Sequence, residues 1–445
     1  MALRRAAKPA QHVSADMVAG LVQSGMWLDY GTSLCQPDVF DKALGKRIQG
    51  LTNLKIRNCL TMKPRAVLDA DPKGDHVHWF SLHFSGYDRK KHDEGRCHYL
   101  PVNLGEIPDY YRRFIAPVDM VILKACPMDE NGYFNMSAAN LWHRAIIEHA
   151  RIVVIETTKG NPYVHGVDAG IHVSEVDYII EGDDAPAPEL PNPAPTDIDR
   201  AVARYIVGEV DNGSCLQIGI GGMPNAVCAL LLESGVDDLG VHTEMMTDGI
   251  AELYRAGRVS GARKALDPGK IVYSFALGSR ALYETLDHNA DMLCCPVDYT
   301  NLPSNIMQNT GVVSINSTTQ VDLQGQAASE SDGNRHLTGT GGQLQFVRGA
   351  YASKGGKSFL CLPSTYDKRG ERRSRIVFNL SHGNIVTTPR SDVMYVVTEY
   401  GIVNLKGKSV PERAKALISI AHPDFQEVLE RQAFDQGLLP KGLSF

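Results

Sequence analysis

Residues 215–227 read CLQIGIGGMPNAV, and residues 241–249 read VHTEMMTDG. In the first run a strand signal, CLQI, apolar except for Gln217, ends in Gly219, Gly221 and Gly222, and an apolar helical segment follows at 226–232. Strand, glycine turn and helix in that order are the repeating unit of an open α/β sheet, whose sites lie in loops at the carboxyl ends of the strands. The second run sets a carboxylate, Glu244, directly after another apolar strand. Chemistry is therefore expected in the loops after Ile218, Val241 and Ile315.

The same pattern occurs earlier in the chain. Residues 25–44, GMWLDYGTSLCQPDVFDKAL, lie over residues 213–231, GSCLQIGIGGMPNAVCALL, with one residue deleted. Each has a glycine, a buried strand, a second glycine, and then Pro37 or Pro224 opening a helix, where the missing N–H of proline has no partner to lose. Residues 121–137 lie over residues 314–330 in the same way, and both carry Asp-x-x-Gly after an apolar strand: Asp129 with Gly132, and Asp322 with Gly325. The predicted fold is α/β, two similar open α/β domains related by internal duplication. A chain of 445 residues exceeds what one core usually serves. The acidic, proline-rich stretch GDDAPAPELPNPAPTD at 182–197 supplies the break. The expected organisation is an N-terminal domain over 1–181, a linker over 182–199 and a C-terminal domain over 200–445 carrying the nucleophilic glutamate.

Apolar residues make up 43% of the chain, enough for buried cores, and the net charge of −6 gives no basic surplus for nucleic-acid phosphates. The nine cysteines are scattered through apolar runs with no C-x-x-C, which fits reduced core thiols of a cytoplasmic protein rather than a disulfide or zinc framework. The basic start, MALRRAAKPAQ, has no apolar run behind it for a signal peptide, and no window is long enough for a membrane span. Neither nucleic acid nor membrane is an expected partner.

The turn over Gln217, Ile218, Gly219, Ile220, Gly221 and Gly222 can aim backbone N–H groups at a phosphate or a carbonyl oxygen. The same turn can also close a strand onto a helix with no ligand, and it lacks the third glycine of a dinucleotide fingerprint. Glu244 can complement a helix dipole, or it can attack an acyl group if neutral donors stand nearby. Asn301, Asn305 and Asn309 supply carboxamides, and the turn at 337–346, LTGTGGQLQF, offers Gly341 and Gly342. Glu399, also at a strand end, is a rival carboxylate with a plausible structural role. His76, His78, Cys97 and His98 lack metal-ligand spacing, so no metal is expected, and no G-x-S-x-G elbow occurs.

Taken together, LQIGIGGMPNAV, HTEMMTDGIAELY, PVDYTN, VVSINSTTQVDLQGQ, GTGGQLQFVRGA and VTEYGIVNLKGKSVPERA make the chain resemble a class I coenzyme A transferase of the acetyl-CoA hydrolase/transferase family, the branch holding 4-hydroxybutyrate and butyrate CoA-transferases. The resemblance implies that Glu244, in T-E-x-x-x-D-G, becomes the CoA thioester. It also implies that Asn301 and the Gly342 N–H serve as oxyanion donors. CoA contacts carried over in the same way fall on the six residues Gln217 to Gly222 and on Thr319, Thr338, Gly341 and Lys354. Coenzyme A is then a co-substrate, with no permanently bound cofactor. The implied reaction moves CoA from acetyl-, butyryl- or succinyl-CoA to a small carboxylate by ping-pong exchange, in a homodimer or higher homo-oligomer. Departures from the family at 82–90, LHFSGYDRK, and 140–144, NLWHR, bring His83, Arg89 and Arg144 forward as groups for a second carboxylate, as in a dicarboxylic acceptor such as itaconate. Acyl-CoA hydrolysis through the same glutamate and a non-catalytic CoA- or nucleotide-binding role are the alternatives.

Overall fold

The computed structural model describes residues 9–440. The basic first residues, 1–8, whose character bears on the signal-peptide expectation, lie outside that range, as do the last five. Two compact units are present. The first comprises the described residues up to Leu190 together with Glu244–Met246 and Val272–Thr300; the second comprises Pro191–Thr243, Thr247–Ile271 and the described residues from Asn301 on. The first change of unit falls inside the proline-rich connector, but the chain returns to the first unit twice after it. A single cut at 182–199 does not capture those returns.

In the first unit, strands such as Trp27–Thr32 and Val118–Ala125 are buried almost throughout, as expected where helices cover both faces of a sheet. Eight parallel strands run in the spatial order Gln11–His12, Tyr178–Glu181, Ala150–Thr157, Val118–Ala125, Trp27–Thr32, Leu54–Cys59, Val77–Ser81 and Cys97–Tyr99. The strand order reverses between Trp27–Thr32 and Val118–Ala125.

Six strands lying within the second unit repeat this arrangement: Gly240–His242, Cys215–Ile218, Val312–Ser317, Lys357–Cys361 and Tyr395–Thr398 are parallel, and Gly401–Asn404 closes the edge antiparallel. Here the order reverses between Cys215–Ile218 and Val312–Ser317, so the glycine turn after Ile218 lies at the switch point, where open α/β sheets present their ligand crevice. The helix Asp197–Val207 starts in a capping box of Thr196 and Asp199 and buries Val202, Ala203 and Ile206. It packs against the helix Gly222–Glu233.

The duplication extends to single turns. The Asp129 carboxylate accepts the N–H groups of Asn131 and Tyr133 at 2.9 and 2.8 Å, and Gly132 takes φ 85°. Asp322 accepts Gln324 and Gln326 N–H at 3.0 Å each, and Gly325 takes φ 93°. The two prolines differ: Pro224 stands inside the first turn of its helix, whereas Pro37 precedes the helix Val39–Gly45.

Candidate active site

Glu244 belongs to the first unit. Its main-chain carbonyl accepts N–H bonds from Ser274 at 2.9 Å and Phe275 at 3.2 Å. The adjoining Met245–Met246 pairs in parallel with Phe275–Ala276. Along residues 239–251 every residue is buried except Glu244, which is half-buried. Glu244 is thus held by its backbone and is the one residue of this run that keeps part of its surface open. Cys59, in the same unit, has its thiol raised well above the ordinary value, first by burial, then by the charge of Asp88 and, among the smaller causes, by that of Glu244.

His83 lies just past the strand Val77–Ser81, and its carbonyl accepts the Leu60 N–H at 3.0 Å. Arg89 sits on the helix Gly86–Asp93, capped by a Ser85 and Asp88 box; its Nε is buried with no hydrogen-bond partner among the described residues. Arg144, on the helix His143–His149, forks onto Glu175 at 2.8 and 3.3 Å. Its charge is matched within the protein, as in a helix-end ion pair.

The second unit holds the remaining candidates. Gly221 takes φ 120° at the start of the helix Gly222–Glu233, which has no side-chain cap. A side chain at 222 would stand 2.7 Å from the Asp199 carboxylate, so anything larger than glycine there displaces that side chain from its capping box. Gln217 is buried, and its carboxamide oxygen accepts from Ser314 at 2.7 Å and Asn316 at 3.0 Å, so that oxygen is engaged within the sheet. Thr319 donates its hydroxyl to the Ala328 carbonyl at 2.7 Å and fixes its own turn. Asn301 ends the helix Val297–Asn301 and is fully buried. Gly341, at φ 60°, and Gly342 form the turn that starts the helix Gln343–Ala352, and the Thr338 N–H meets the Glu330 carbonyl at 3.4 Å. Gln343, which the sequence reading passed over, steadies this turn by donating to Ser329 at 2.9 Å and Thr388 at 3.0 Å.

One expectation meets a different geometry. Lys354 precedes the strand Lys357–Cys361 and rims a cavity of about 480 Å³ with Glu209, Asp211, Arg263 and Lys357. That is the amino end of the strands, roughly 13 Å, one strand length, from the glycine turn. It is not brought together with Gly219, Gly221 and Gly222. Glu399 has both oxygens on Ser364, accepting its N–H at 2.8 Å and its hydroxyl at 2.5 Å, the structural role allowed for it. Asn309 likewise accepts the Ala265 and Leu266 N–H groups at 3.0 Å each. All nine cysteines are buried and unbridged. Among the described residues no group of three or more metal-binding side chains converges, and no helix is long and apolar enough to cross a membrane.

The acetyl-CoA hydrolase/transferase N-terminal domain model matches residues 4–191, and the C-terminal domain model of the same family matches residues 278–433. The chain belongs to the acetyl-CoA hydrolase/transferase family. It is 44% identical over 423 residues to the butyryl-CoA:acetate CoA-transferase of Anaerostipes caccae, covering 94% of this chain and 95% of that protein. Against the 4-hydroxybutyrate coenzyme A transferase of Clostridium kluyveri the identity is 37%, over 94% of this chain and 96% of that one. The crystal structure of RipA from Yersinia pestis superposes with a TM-score of 0.88 at 36% identity, covering 96% of this chain and 98% of that chain. Family membership makes the chain an enzyme of CoA thioesters, with coenzyme A as co-substrate and no resident cofactor.

Proposed function

We propose that the chain is a CoA-transferase that moves CoA from acetyl-, butyryl- or succinyl-CoA to a small carboxylate such as butyrate, 4-hydroxybutyrate or a dicarboxylate, through a glutamyl-CoA thioester on Glu244. The observation that carries the assignment is the exposure of Glu244 alone within the buried run 239–251. A glutamate with the ordinary pKa of about 4.3 is charged at neutral pH and a poor nucleophile in water. Fixed donors in place of water change that.

The Glu244 carboxylate attacks the acyl-CoA carbonyl and expels CoA thiolate, leaving a mixed anhydride. The thiolate then attacks the glutamyl carbonyl and releases the donor acid, so the enzyme carries CoA on Glu244. An incoming carboxylate attacks this thioester and the steps run in reverse, with no ATP and with ping-pong kinetics. Asn301 and the Gly342 N–H are the proposed oxyanion donors, both neutral, so they stabilise the tetrahedral oxygen without titrating. The turn from Gln217 to Gly222, with Thr338 and Gly341, is the proposed CoA-binding region. Thr319 is proposed there through the remaining lone pairs of its hydroxyl oxygen, because its N–H and its hydroxyl hydrogen both donate to the Ala328 carbonyl, at 2.8 and 2.7 Å, and its own carbonyl accepts from Arg375 at 2.8 Å. A homodimer or higher homo-oligomer in the cytoplasm completes the reading, supported by buried, unbridged thiols that suit a reducing compartment.

Intact-protein mass after mixing with acetyl-CoA tests the assignment. The wild type gains one CoA less one water, and Glu244→Gln gains nothing while exchange falls by on the order of 10⁴-fold or more. Exchange at full speed in Glu244→Ala sinks the proposal. Thiol release that does not depend on added carboxylate assigns the same glutamate to a hydrolase. Retained CoA binding with no adduct in the wild type assigns the chain to binding alone.

A further inference from the structure

Resting on the reading of Glu244 as carrier, we infer that Asn140 is a positioning residue that seats the Glu244 backbone. The segment 137–142 leads from the strand Tyr133–Asn135 into the helix His143–His149 and holds two non-glycine residues with left-handed backbone, Ser137 at φ 55° and Leu141 at φ 40°. Such residues persist only where the surroundings over-determine them. The surroundings here are the strands next to Glu244. The Ala276 N–H donates to the Ala138 carbonyl at 2.8 Å, Leu141 N–H to Ser274 at 3.4 Å, and Val297 N–H to Leu141 at 2.7 Å. The other edge of Ser274–Phe275 donates to the Glu244 carbonyl.

The result is a layer three strips deep, all within the first unit: the 137–142 loop, the strand through Ser274, and Glu244. Asn140 pins this layer from inside. It is 1% exposed, and its carboxamide donates to the Val167 carbonyl at 2.7 Å and to the Cys294 carbonyl at 3.0 Å, using both of its hydrogens. Cys294 in turn donates its N–H to His165 at 2.7 Å. The backbones meet so closely that a side chain at Gly166 would stand 1.9 Å from the Cys294 carbonyl oxygen. Ser274 adds a hydroxyl bond to the Cys295 carbonyl at 2.8 Å. A displacement at Cys294–Cys295 therefore reaches Glu244 through a single intervening strand. Asn140 touches no reacting atom in this scheme and acts through that strand.

A misplacement of about 1 Å at a reacting group costs on the order of 10²-fold in rate without a matching loss of binding. The test follows formation of the CoA adduct by rapid mixing with acetyl-CoA, quenching and intact mass, on the full chain. Asn140→Ala is expected to slow adduct formation by roughly 10- to 100-fold, with the acyl-CoA KM within about twofold of wild type. Asn140→Ser, which restores one donor, is expected to recover part of the rate and also serves if the alanine variant does not fold. The comparator is Asn309→Ser, another fully buried asparagine bonded to two main-chain groups, in the second unit at the amino end of its strands. It is expected to lower Tm without slowing the adduct. The inference is overturned if Asn140→Ser forms adduct at the wild-type rate, if it is slowed no more than Asn309→Ser, or if it raises KM with kcat unchanged. A wild type that forms no adduct overturns the Glu244 reading instead, so the two failures are distinguishable.

Discussion

The carboxylate of Glu156 lies across the start of the helix Val39–Gly45, its Oε2 accepting the Phe40 N–H at 2.9 Å. Its Oε1 takes the Asp38 and Val39 N–H groups at 2.8 and 3.0 Å. In the duplicated fold this helix corresponds to Gly222–Glu233 of the second unit, which has no side-chain cap. The first unit thus closes its own helix start with an internal anion. Asp38 beside it is ringed by Lys63 at 2.9 Å, Arg65 at 3.2 Å and Lys124. Glu156→Ala leaves three N–H groups without their acceptor, those of Asp38 and Phe40 on buried residues and that of Val39 on a half-buried one. The expected loss is at least about 3 kcal/mol, from roughly 1–3 kcal/mol per unsatisfied group. Glu156→Gln, which keeps an accepting oxygen, is expected to lose less. Urea unfolding measures both, and equal stability of the alanine variant and wild type refutes this account of the helix start.

Glu399→Gln separates the two carboxylates found at strand ends. Because both Glu399 oxygens are bonded to Ser364, the variant loses part of a local network and little else. Stability is expected to fall by about 1–2 kcal/mol, while CoA adduct formation stays within about threefold of wild type. Loss of the adduct in this variant, with Glu244→Gln still forming it, would exchange the roles assigned to them.

The duplication, the parallel sheets, the switch-point turn and the placing of Glu244 after a strand were legible because each is written in local pattern. The run CLQI before Gly219, apolar except for Gln217, reads as a strand wherever it stands. What Glu244 packs against was not legible, since Ser274 and Phe275 lie thirty residues on and Ala138 more than a hundred residues back. Only pairing in space brings them together. Gln217 and Thr319 follow from the family resemblance, and their engagement depends on neighbours that the sheet supplies, Ser314, Asn316 and the Ala328 carbonyl. Lys354 is different. It precedes its strand, and strand direction alone assigns it to the amino end, so the motif likeness outweighed a rule already available in the sequence.

Arg144 and Arg89 predict opposite outcomes with a panel of acceptors. The Arg144–Glu175 pair has side chains 24% and 39% exposed, in the range where such pairs contribute about 0–1 kcal/mol. Arg144→Gln is expected to shift Tm little and leave acceptor KM values unchanged. Arg89 keeps a buried Nε without a partner among the described residues. Arg89→Gln is expected to raise the KM of a dicarboxylate about tenfold relative to a monocarboxylate, the size of one charge-assisted hydrogen bond. Steady-state exchange with succinate and butyrate as acceptors decides it; equal KM changes for both remove Arg89 from acceptor recognition.

Asp41 gives the first unit a stability component that weakens as pH rises. Burial raises its carboxyl from the ordinary 3.8 to about 6, with Arg65 and the Ala66 N–H, 2.6 Å from Oδ2, acting in the opposite direction. Between those two values the folded chain holds a proton that the unfolded chain has released. This contribution is therefore fully present below about pH 3.8, declines through the interval, and is lost above about pH 6. Asp38 has the opposite sign: Lys124 first, then Arg65, outweigh burial and hold its carboxyl well below the ordinary value, so its contribution is present above that value and lost only in strong acid. Asp41→Asn is neutral in both states and keeps an oxygen for Ala66. Relative to wild type its stability is expected to rise between pH 4 and pH 7, by at most on the order of 3 kcal/mol. Urea midpoints of both proteins across that range check the sign. A stability difference that is flat with pH, or that falls as pH rises, rules out a raised Asp41 in the folded chain.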